Sequence, residues 1–513
     1  MIRAASTVGS FTMMSRVAGF VRDVLIAQVL GAGALADVFF ASFKLANFLR
    51  RLFAEGAFNA AFVPMFTKTL EGEGTEAARQ FAANAFAALA TVLLVIVLLA
   101  ELFMPYVVRV IATGFEPGGE RYQLTVELSR ITFPYIFCIS LAALLSGMLN
   151  AIGRFAAAAF APVLLNFTLI TALLGFGDRL ETPAHVLAWG VALAGLLQLT
   201  WVGLAVHRQG FGFRLRPPVW TAKLKRLLIL IGPGVVGAGV AQINMLVDLW
   251  FATGLPAGAV AYIFYADRLN QLPLGVIGIA IGTALLPLLS RQLRQGALDA
   301  ARHSFNRAIE FALLLTLPAA AALIVVAEPV IAGLYQRGAF SAEDTTNTAL
   351  ALQALALGLP AYVLIKVFVP GFFAREDTRT PVAVAAICLA ANIGFILILI
   401  EPLAHVGICL ATALSNWLNA GLLFALLIRR GQFQADRRLI DRAVRCGLAC
   451  VLMVGALFLL DQVLPPMTFV VRLLPLIIGG AFVYGASAFL VRAVTRADIA
   501  QLKGRSSTPP ATG

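Results

Sequence analysis

The sequence predicts an all-α polytopic membrane protein, and three observations carry that prediction. Of its 513 residues, 60% are hydrophobic and only 13% are charged, whereas a soluble domain usually has about 25% charged residues. Long apolar runs, such as residues 81–100 and 451–460, recur along the chain. The period-two alternation of membrane-barrel strands is absent from the sequence. Because only helices and closed barrels satisfy their backbone hydrogen bonds in lipid, we interpret the runs as transmembrane helices.

At about 20 apolar residues per crossing, the sequence predicts about fourteen transmembrane helices. Their approximate spans are 5–30, 34–66, 80–105, 124–150, 159–177, 184–206, 227–253, 259–289, 305–333, 345–373, 381–400, 405–428, 443–462 and 471–494. The second, eighth, ninth and tenth spans are too long for one straight crossing. For these we expect tilt, kinks or extensions beyond the bilayer.

The distribution of Lys and Arg predicts the orientation of these helices. The N-terminus and the segments 67–79, 151–158, 207–226, 291–307, 374–380, 429–445 and 492–505 hold 26 basic residues. The connections on the other side hold Arg109, Arg121, Arg179 and Arg337. By the positive-inside rule the first side is cytoplasmic, and so are both termini. Short basic loops that set orientation also account for the net charge of +13, so we expect no nucleic-acid partner.

An internal repeat predicts the domain organisation. Residues 37–66 resemble residues 262–289, and matching positions further along keep an offset near 225 residues. The repeat predicts an N-lobe of helices 1–6 (residues 1–226) and a C-lobe of helices 7–12 (227–441), related by a pseudo-twofold along the membrane normal. Transporters commonly bind their substrate between such repeats. Residues 442–495 add two helices, which form either an accessory pair or a groove for a lipid tail. The polar tail 496–513 is predicted to be disordered.

The charged stretch 15–55 is the main candidate site. It carries Arg16, Arg22, Lys44, Arg50 and Arg51 against Asp23, Asp37 and Glu55, a surplus of two positive charges. Each charge at the bilayer centre costs about 2.5–3.5 kcal/mol when it faces lipid. These side chains should therefore face a water-filled cavity. A cationic cavity in a membrane indicates an anionic cargo.

Within the second span, Asp37, Lys44 and Arg51 are spaced by seven and share one face of a helix. Glu55 rejoins that stripe, and Asn47 and Arg50 lie beside it. The stripe is either a ladder of internal ion pairs or a hydrated cationic wall, and the positive surplus favours the wall.

The second repeat adds further cations to this charge pattern. They are Arg268 and Lys366, and Asp267 and Asp248 are their candidate partners. Arg binds phosphate oxygens in a bidentate manner, while Lys acts as a point charge. Arg residues from both repeats suit a diphosphate.

The sequence contains no recognisable catalytic or metal-binding constellation. The five cysteines lie in apolar segments without a matching His or carboxylate, and the four histidines lie near helix ends, far apart in sequence. We therefore expect a transporter that has no cofactor or metal, rather than an enzyme. An intramembrane enzyme acting on diphosphate lipids would need an acid–base or metal set.

Several motifs together resemble the MurJ (MviN) family of lipid II flippases. They are residues 10–64, which contain SRVAGFVRDVL, ADVFF and KLANFLRR, then YADRLNQLPLGVIGIAIG, RITFPYIFCIS and KVFVPGFFAREDTRTP. The resemblance covers about residues 5–495. It implies the MOP exporter fold, with two six-helix lobes and two C-terminal helices. It also implies transport of undecaprenyl-diphosphate-linked disaccharide-pentapeptide, lipid II, across the bacterial inner membrane for peptidoglycan synthesis.

The family motifs also identify the residues that the resemblance implies are functional. They fall on Arg16, Arg22, Asp23, Asp37, Asn47, Arg50, Glu55 and Arg268. Many relatives have Pro where this chain has Ala46, so the corresponding kink is not expected here. The implied partners are lipid II and membrane lipids, and contacts with the peptidoglycan synthesis machinery are a further expectation.

Two questions stay open at this point, the cargo and the driving force. A same-fold exporter of another polyprenyl-diphosphate oligosaccharide, or of drugs, is the alternative function. A drug exporter for cations should have a net acidic cavity, which this sequence does not predict. Either a coupling ion or the membrane potential would drive transport.

Overall fold

A computed structural model describes residues 2–50, 58–177, 179–212, 217–464, 469–495 and 498. Within these ranges the chain is helical and forms no β-strand. The helices are α1 (Ile2–Leu30), α2 (Ala34–Arg50), α3 (Phe58–Leu102), α4 (Met104–Ile111), α5 (Glu120–Thr132), α6 (Tyr135–Ala151), α7 (Phe155–Phe176), α8 (Pro183–Val206), α9 (Ala222–Thr253), α10 (Ala259–Arg294), α11 (Leu298–Val325), α12 (Ala327–Tyr335), α13 (Ala342–Phe373), α14 (Arg379–Arg429), α15 (Arg437–Val463) and α16 (Phe469–Leu490). A π-helical turn, His207–Phe211, extends α8.

The predicted all-α membrane fold is confirmed. Ten helical stretches of the described chain are long and apolar enough to cross a membrane, α5 and α6 together forming one of them, and the segment Ile243–Thr253 of α9 is a shorter apolar stretch. The predicted number of fourteen crossings stays a prediction, because the helices do not match the predicted spans one to one. For example, α14 covers two predicted spans, whereas α5 and α6 share one.

Local chemistry explains where the helices depart from the predicted spans. The predicted span 124–150 is two helices, α5 and α6, which meet at Pro134, a residue that has no amide hydrogen to donate. The segment 67–79, predicted as a connection, is helical on both sides of a break at Gly74 (φ 87°). Arg79 Nη2 donates to Glu76 Oε1 at 2.9 Å, a pairing one helical turn apart that stabilises such a polar extension.

The predicted break between residues 400 and 405 lies inside α14. Ala404 has non-helical dihedral angles (φ 47°, ψ −127°), two residues after Pro402. The chain reverses so tightly that a Cβ on Gly407 would lie 2.3 Å from the carbonyl oxygen of Leu399. Two helices therefore form here, as the sequence predicts.

The chain divides into two compact units. The first comprises Met1–Ala261 with Arg337–Asp344, and the second comprises Tyr262–Gln336 with Thr345–Gly513. In the first unit α7 packs against α1 and α8, α6 packs against α3 and α8, and α9 packs against α3. The predicted lobes rest on the internal repeat rather than on contacts, so their boundaries at 226 and 441 stay a prediction.

In the second unit, α15 packs against both α11 and α16, and α12 packs against α16. Polar contacts fix this arrangement at one end: Arg307, Arg438 and Arg442 surround the buried Glu310 carboxylate. Tyr484 of α16 donates to the carbonyl oxygen of Leu314 at 2.7 Å. The two C-terminal helices are thus anchored to α11. The tail 499–513 lies outside the described residues.

Candidate functional site

A group of buried polar contacts in the first unit is centred on Arg22 of α1. Its Nε and Nη2 donate to Asp23 Oδ1 at 3.0 and 2.6 Å, and its Nη1 donates to Asn166 Oδ1 at 2.9 Å. Asn166, on α7, donates in turn to the backbone oxygen of Ser15 at 2.9 Å. One guanidinium therefore connects α1 to α7.

Burial makes this cluster energetically important. The side chains of Arg22 and Asp23 are 6% and 4% exposed. Removing one partner of a buried ion pair costs about 3–5 kcal/mol, because it leaves a buried charge uncompensated. Three of the five guanidinium N–H groups of Arg22 are engaged by Asp23 and Asn166. The guanidinium is therefore held in one orientation.

Asp37 of α2 is also buried, with 1% of the residue exposed. Its Oδ2 accepts from the backbone N–H of Gly258 at 2.6 Å, and its Oδ1 accepts from that of Ala261 at 2.8 Å. All three residues belong to the first unit. The carboxylate occupies the position of a cap at the N-terminal end of α10, where amides lack intrahelical partners.

The rest of the charged face of α2 is described only in part. Lys44 is half-buried, and Asn47 Nδ2 donates to the carbonyl oxygen of Phe43 at 3.1 Å. Arg50 ends α2, and its side chain is outside the description. Arg51 and Glu55 lie outside the described residues. The predicted cationic wall over these positions stays a prediction.

The predicted site residues of the second unit lie on α10 and α13. The guanidinium of Arg268 lies over the ring of Phe264, 4.9 Å from its centroid, and Asp267 accepts a hydrogen bond from Gln271. Lys366 is exposed, and its Nζ lies 5.2 Å from the centroid of Tyr362. The quadrupole of an aromatic ring attracts a cation held over its face.

The structure brings together some predicted residues and adds one. Arg22 and Asp23 are paired, and Arg16 lies on the same helix with an exposed side chain. Asn166 is the functional candidate that sequence reasoning missed. The sequence held a signal for it, because Asn166 matches Asn392 in the internal repeat and both amides interrupt apolar helices. Both residues are buried, at 6% and 0% exposure.

Comparison with known proteins gives consistent matches along the chain. A model of the family "Lipid II flippase MurJ" matches residues 26–479. The chain is 45% identical to a probable lipid II flippase MurJ of Rhizobium meliloti, over 95% of this chain and 94% of that protein. It is 36% identical to a lipid II flippase MurJ of Burkholderia cenocepacia, over 85% of each chain.

Solved structures match as well. A lipid II flippase MurJ in an inward closed conformation superimposes with a TM-score of 0.80 at 25% identity, covering 94% of this chain and 97% of that one. An inward-facing multidrug resistance transporter of the MATE family matches with a TM-score of 0.67 at 16% identity, covering 83% of this chain and 98% of that one. The second likeness concerns the fold alone.

Proposed function

The chain belongs to the lipid II flippase MurJ family, and from that premise we propose how its residues carry out transport. It is a lipid II flippase of the MOP fold. The observation that carries this conclusion is the family match over residues 26–479. The cargo is a disaccharide-pentapeptide on undecaprenyl diphosphate, and it moves from the cytoplasmic to the periplasmic leaflet by alternating access.

In this proposal the diphosphate is the group that the protein recognises. Arg22 and Arg268 each contribute a guanidinium that binds phosphate oxygens in a bidentate manner. In the same proposal Arg16, Lys44, Arg50 and Arg51 add positive charge, and Asn47 adds hydrogen-bond donors. The sugars and peptide occupy water, and the polyprenyl tail stays in lipid.

Asp23 gives this binding a release step. The Arg22 guanidinium is bonded to Asp23 at 2.6 Å. A diphosphate carries about two negative charges and can replace the carboxylate as the partner of Arg22. Asp23 then takes the guanidinium back when the cargo leaves. Arg22 therefore has an anionic partner in both states.

The location and partners follow from the same premise. The protein is a multi-pass protein of the bacterial inner membrane with both termini in the cytoplasm. That orientation rests on the basic connections. Lipid II and the surrounding lipids are its partners, and the enzymes of peptidoglycan synthesis supply and consume the cargo.

The rival activities have less support. An enzyme acting on diphosphate lipids would alter a covalent bond, and the family is named for moving its substrate. An exporter of other lipid-linked oligosaccharides would use the same diphosphate contacts. The nature of the sugar and peptide cargo therefore has to be tested by transport itself.

The residue assignments are tested in cells that carry the variant as their sole copy. Arg268→Ala and the double variant Arg22→Ala/Asp23→Asn, which leaves no buried charge without a partner, should each abolish growth while the protein remains inserted at normal abundance. Arg109→Ala is the matched control, because Arg109 is an exposed arginine of α4. Normal growth on either of the first two variants would contradict the assignment of that arginine.

A further inference from the structure

A second polar cluster lies in the first unit, away from the charged stretch of α1 and α2. It borders a cavity of about 820 Å³ lined by α5, the segment before α8, and the first turns of α8. Its titratable members are Glu127 on α5, Glu181 just before α8, and His185 in the first turn of α8. By the distribution of basic residues, this end of the helices faces the periplasm.

The ligand atoms of the cluster are spaced as a metal requires. His185 Nε2 lies 3.3 Å from Glu127 Oε1 and 3.7 Å from Glu181 Oε2. All three donor atoms lie within 4.8 Å of one another. A tetrahedral ion with bonds of about 2.0–2.1 Å separates its ligands by about 3.3–3.4 Å. One ion could therefore contact all three groups after small side-chain movements.

The burial of His185 is a second, independent observation that points to a cation. Its side chain is 7% exposed. Within the described residues its Nε2 is buried and has no hydrogen-bond partner. A buried nitrogen without a hydrogen bond is costly unless something else satisfies it. The atom points toward two carboxylates, which is where a cation would lie.

The other ring nitrogen of His185 is fixed by a neighbour. Its Nδ1 lies 2.9 Å from Thr182 Oγ1. When Nδ1 carries the proton and donates to this hydroxyl, Nε2 presents its lone pair to the two carboxylates. Metal-binding histidines are commonly oriented in this way by a hydrogen bond from the second nitrogen.

We propose that His185, Glu127 and Glu181 form a binding site for a divalent transition-metal cation of the zinc class. One imidazole and two carboxylates suit such an ion better than Mg²⁺ or Ca²⁺, which favour oxygen ligands only. Three protein ligands leave a fourth position that faces the cavity and accepts water. The bound ion joins α5 to the start of α8 and so holds this end of the first unit together.

The charges around the cluster permit a cation. Besides the three ligands, the cavity is lined by one further charged side chain, Arg130 of α5, among the described residues. Two carboxylates against one guanidinium leave a net negative charge when His185 is neutral. The competing arrangement is a protonated His185 paired with Glu127, which would bind no metal.

Titration of the purified protein with Zn²⁺ distinguishes the two arrangements. Full-length protein in detergent is stripped with a chelator and titrated by calorimetry at pH 7.5. We expect one saturable site. Glu127→Gln and Glu181→Gln should each weaken it by at least about 100-fold, since even a supporting residue of a metal site contributes about 10–100-fold. Thr182→Val should weaken it by about 10–100-fold.

The variants are chosen so that loss of binding does not mean loss of folding. The side chains of Glu127 and Glu181 are 55% and 80% exposed, so neutral amides at these positions disturb little packing. Glu116→Gln is the matched control, because Glu116 is an exposed acid outside the cluster. It should bind Zn²⁺ as the unmodified protein does, and each variant should elute as a single species in size-exclusion chromatography.

Two results would overturn the proposal. One is the absence of saturable Zn²⁺ binding to the stripped, unmodified protein. The other is unchanged affinity in the double variant Glu127→Gln/Glu181→Gln, which would place any bound ion at another site. X-ray absorption spectroscopy at the zinc edge that shows one nitrogen ligand and two carboxylate oxygen ligands would support the assignment directly.

Discussion

The Arg22–Asp23 pair should contribute both to stability and to transport, and mutations should separate the two contributions. Replacing Arg22 with Met keeps most of the side-chain volume but leaves a carboxylate that is 4% exposed without its guanidinium. Replacing Asp23 with Asn keeps the shape but removes the charge that balances Arg22. Each single change should cost about 3–5 kcal/mol of stability, the usual cost of removing one partner of a buried ion pair.

The double variant Arg22→Met/Asp23→Asn should recover much of this loss. Neutral replacements of a buried ion pair are often no less stable than the pair itself. We therefore expect the double variant to be at least about 2 kcal/mol more stable than the sum of the two single changes. Equilibrium unfolding in mixed micelles measures this coupling, and growth as the sole copy measures transport.

Stability should return in the double variant, but transport should not. Without Arg22 the diphosphate loses a bidentate partner whether or not Asp23 is neutral. Additive costs, within about 0.5 kcal/mol, would refute the energetic coupling. Growth restored by the double variant would refute the role of Arg22 in binding the cargo.

Further predictions concern geometry, pH, the lipid tail and the driving force. Arg22→Lys keeps the charge but has one nitrogen for two partners. Because a charged hydrogen bond contributes about 1.5–3 kcal/mol, transport should fall by about tenfold or more. Transport within twofold of normal would contradict this. Hydrogen bonds from Thr380 and Arg430 lower the pKa of Asp377 from 3.8 to about 2, so its stabilising contribution is complete above pH 4 and lost as the pH falls toward 2. Asp377→Asn should therefore destabilise the protein at pH 7 relative to the exposed control Glu376→Gln, with the difference closing near pH 2; a difference independent of pH would contradict it. A lipid analogue with a photoreactive tail should label residues 443–494, and labelling confined to earlier helices would argue against a tail groove there. Dissipating the membrane potential with valinomycin and potassium should slow export of lipid II, because each net charge crossing the field gains about 2.3 kcal/mol per 100 mV; unchanged export would redirect attention to a coupled ion.

Composition and apolar periodicity were sufficient to predict the fold class, because lipid excludes almost every alternative to a helix. The break inside α14 was predictable as well, since Pro402 and the apolar runs around it mark two spans. The ends of other helices were not. Residues 67–79 are polar enough to be taken for a loop. A solvated helix accommodates the same polar residues, because Glu76 and Arg79 pair one helical turn apart.

The partners of the charged residues were harder to predict than the residues themselves. Arg22 and Asp23 are adjacent in sequence, and adjacent side chains on a helix do not ordinarily face one another. The long Arg side chain nevertheless folds back to Asp23 while it reaches Asn166, 144 residues away. Asp37 was predicted as a charge partner for cations, yet it binds two backbone amides. Backbone donors have no signature in the sequence.

The cluster at His185 shows the same limit. Glu181 and His185 are four residues apart, but Glu127 comes from a different helix. The sequence alone predicts no metal site, because the histidines are far from one another. A mixed set of one His and two carboxylates becomes visible only when α5 and α8 pack together.

Transport of lipid II by the purified protein is the most direct test of the proposed function. The protein is reconstituted into vesicles with a fluorescent lipid II, and the fraction that crosses the bilayer is followed by quenching from outside. A second polyprenyl-diphosphate oligosaccharide is compared at the same density, and the double variant Arg22→Met/Asp23→Asn serves as the inactive, folded control. We predict rapid flipping of lipid II, slow flipping of the second lipid, and neither with the variant. Equal rates for the two lipids would contradict specificity for lipid II, and no flipping by the unmodified protein would contradict the function itself.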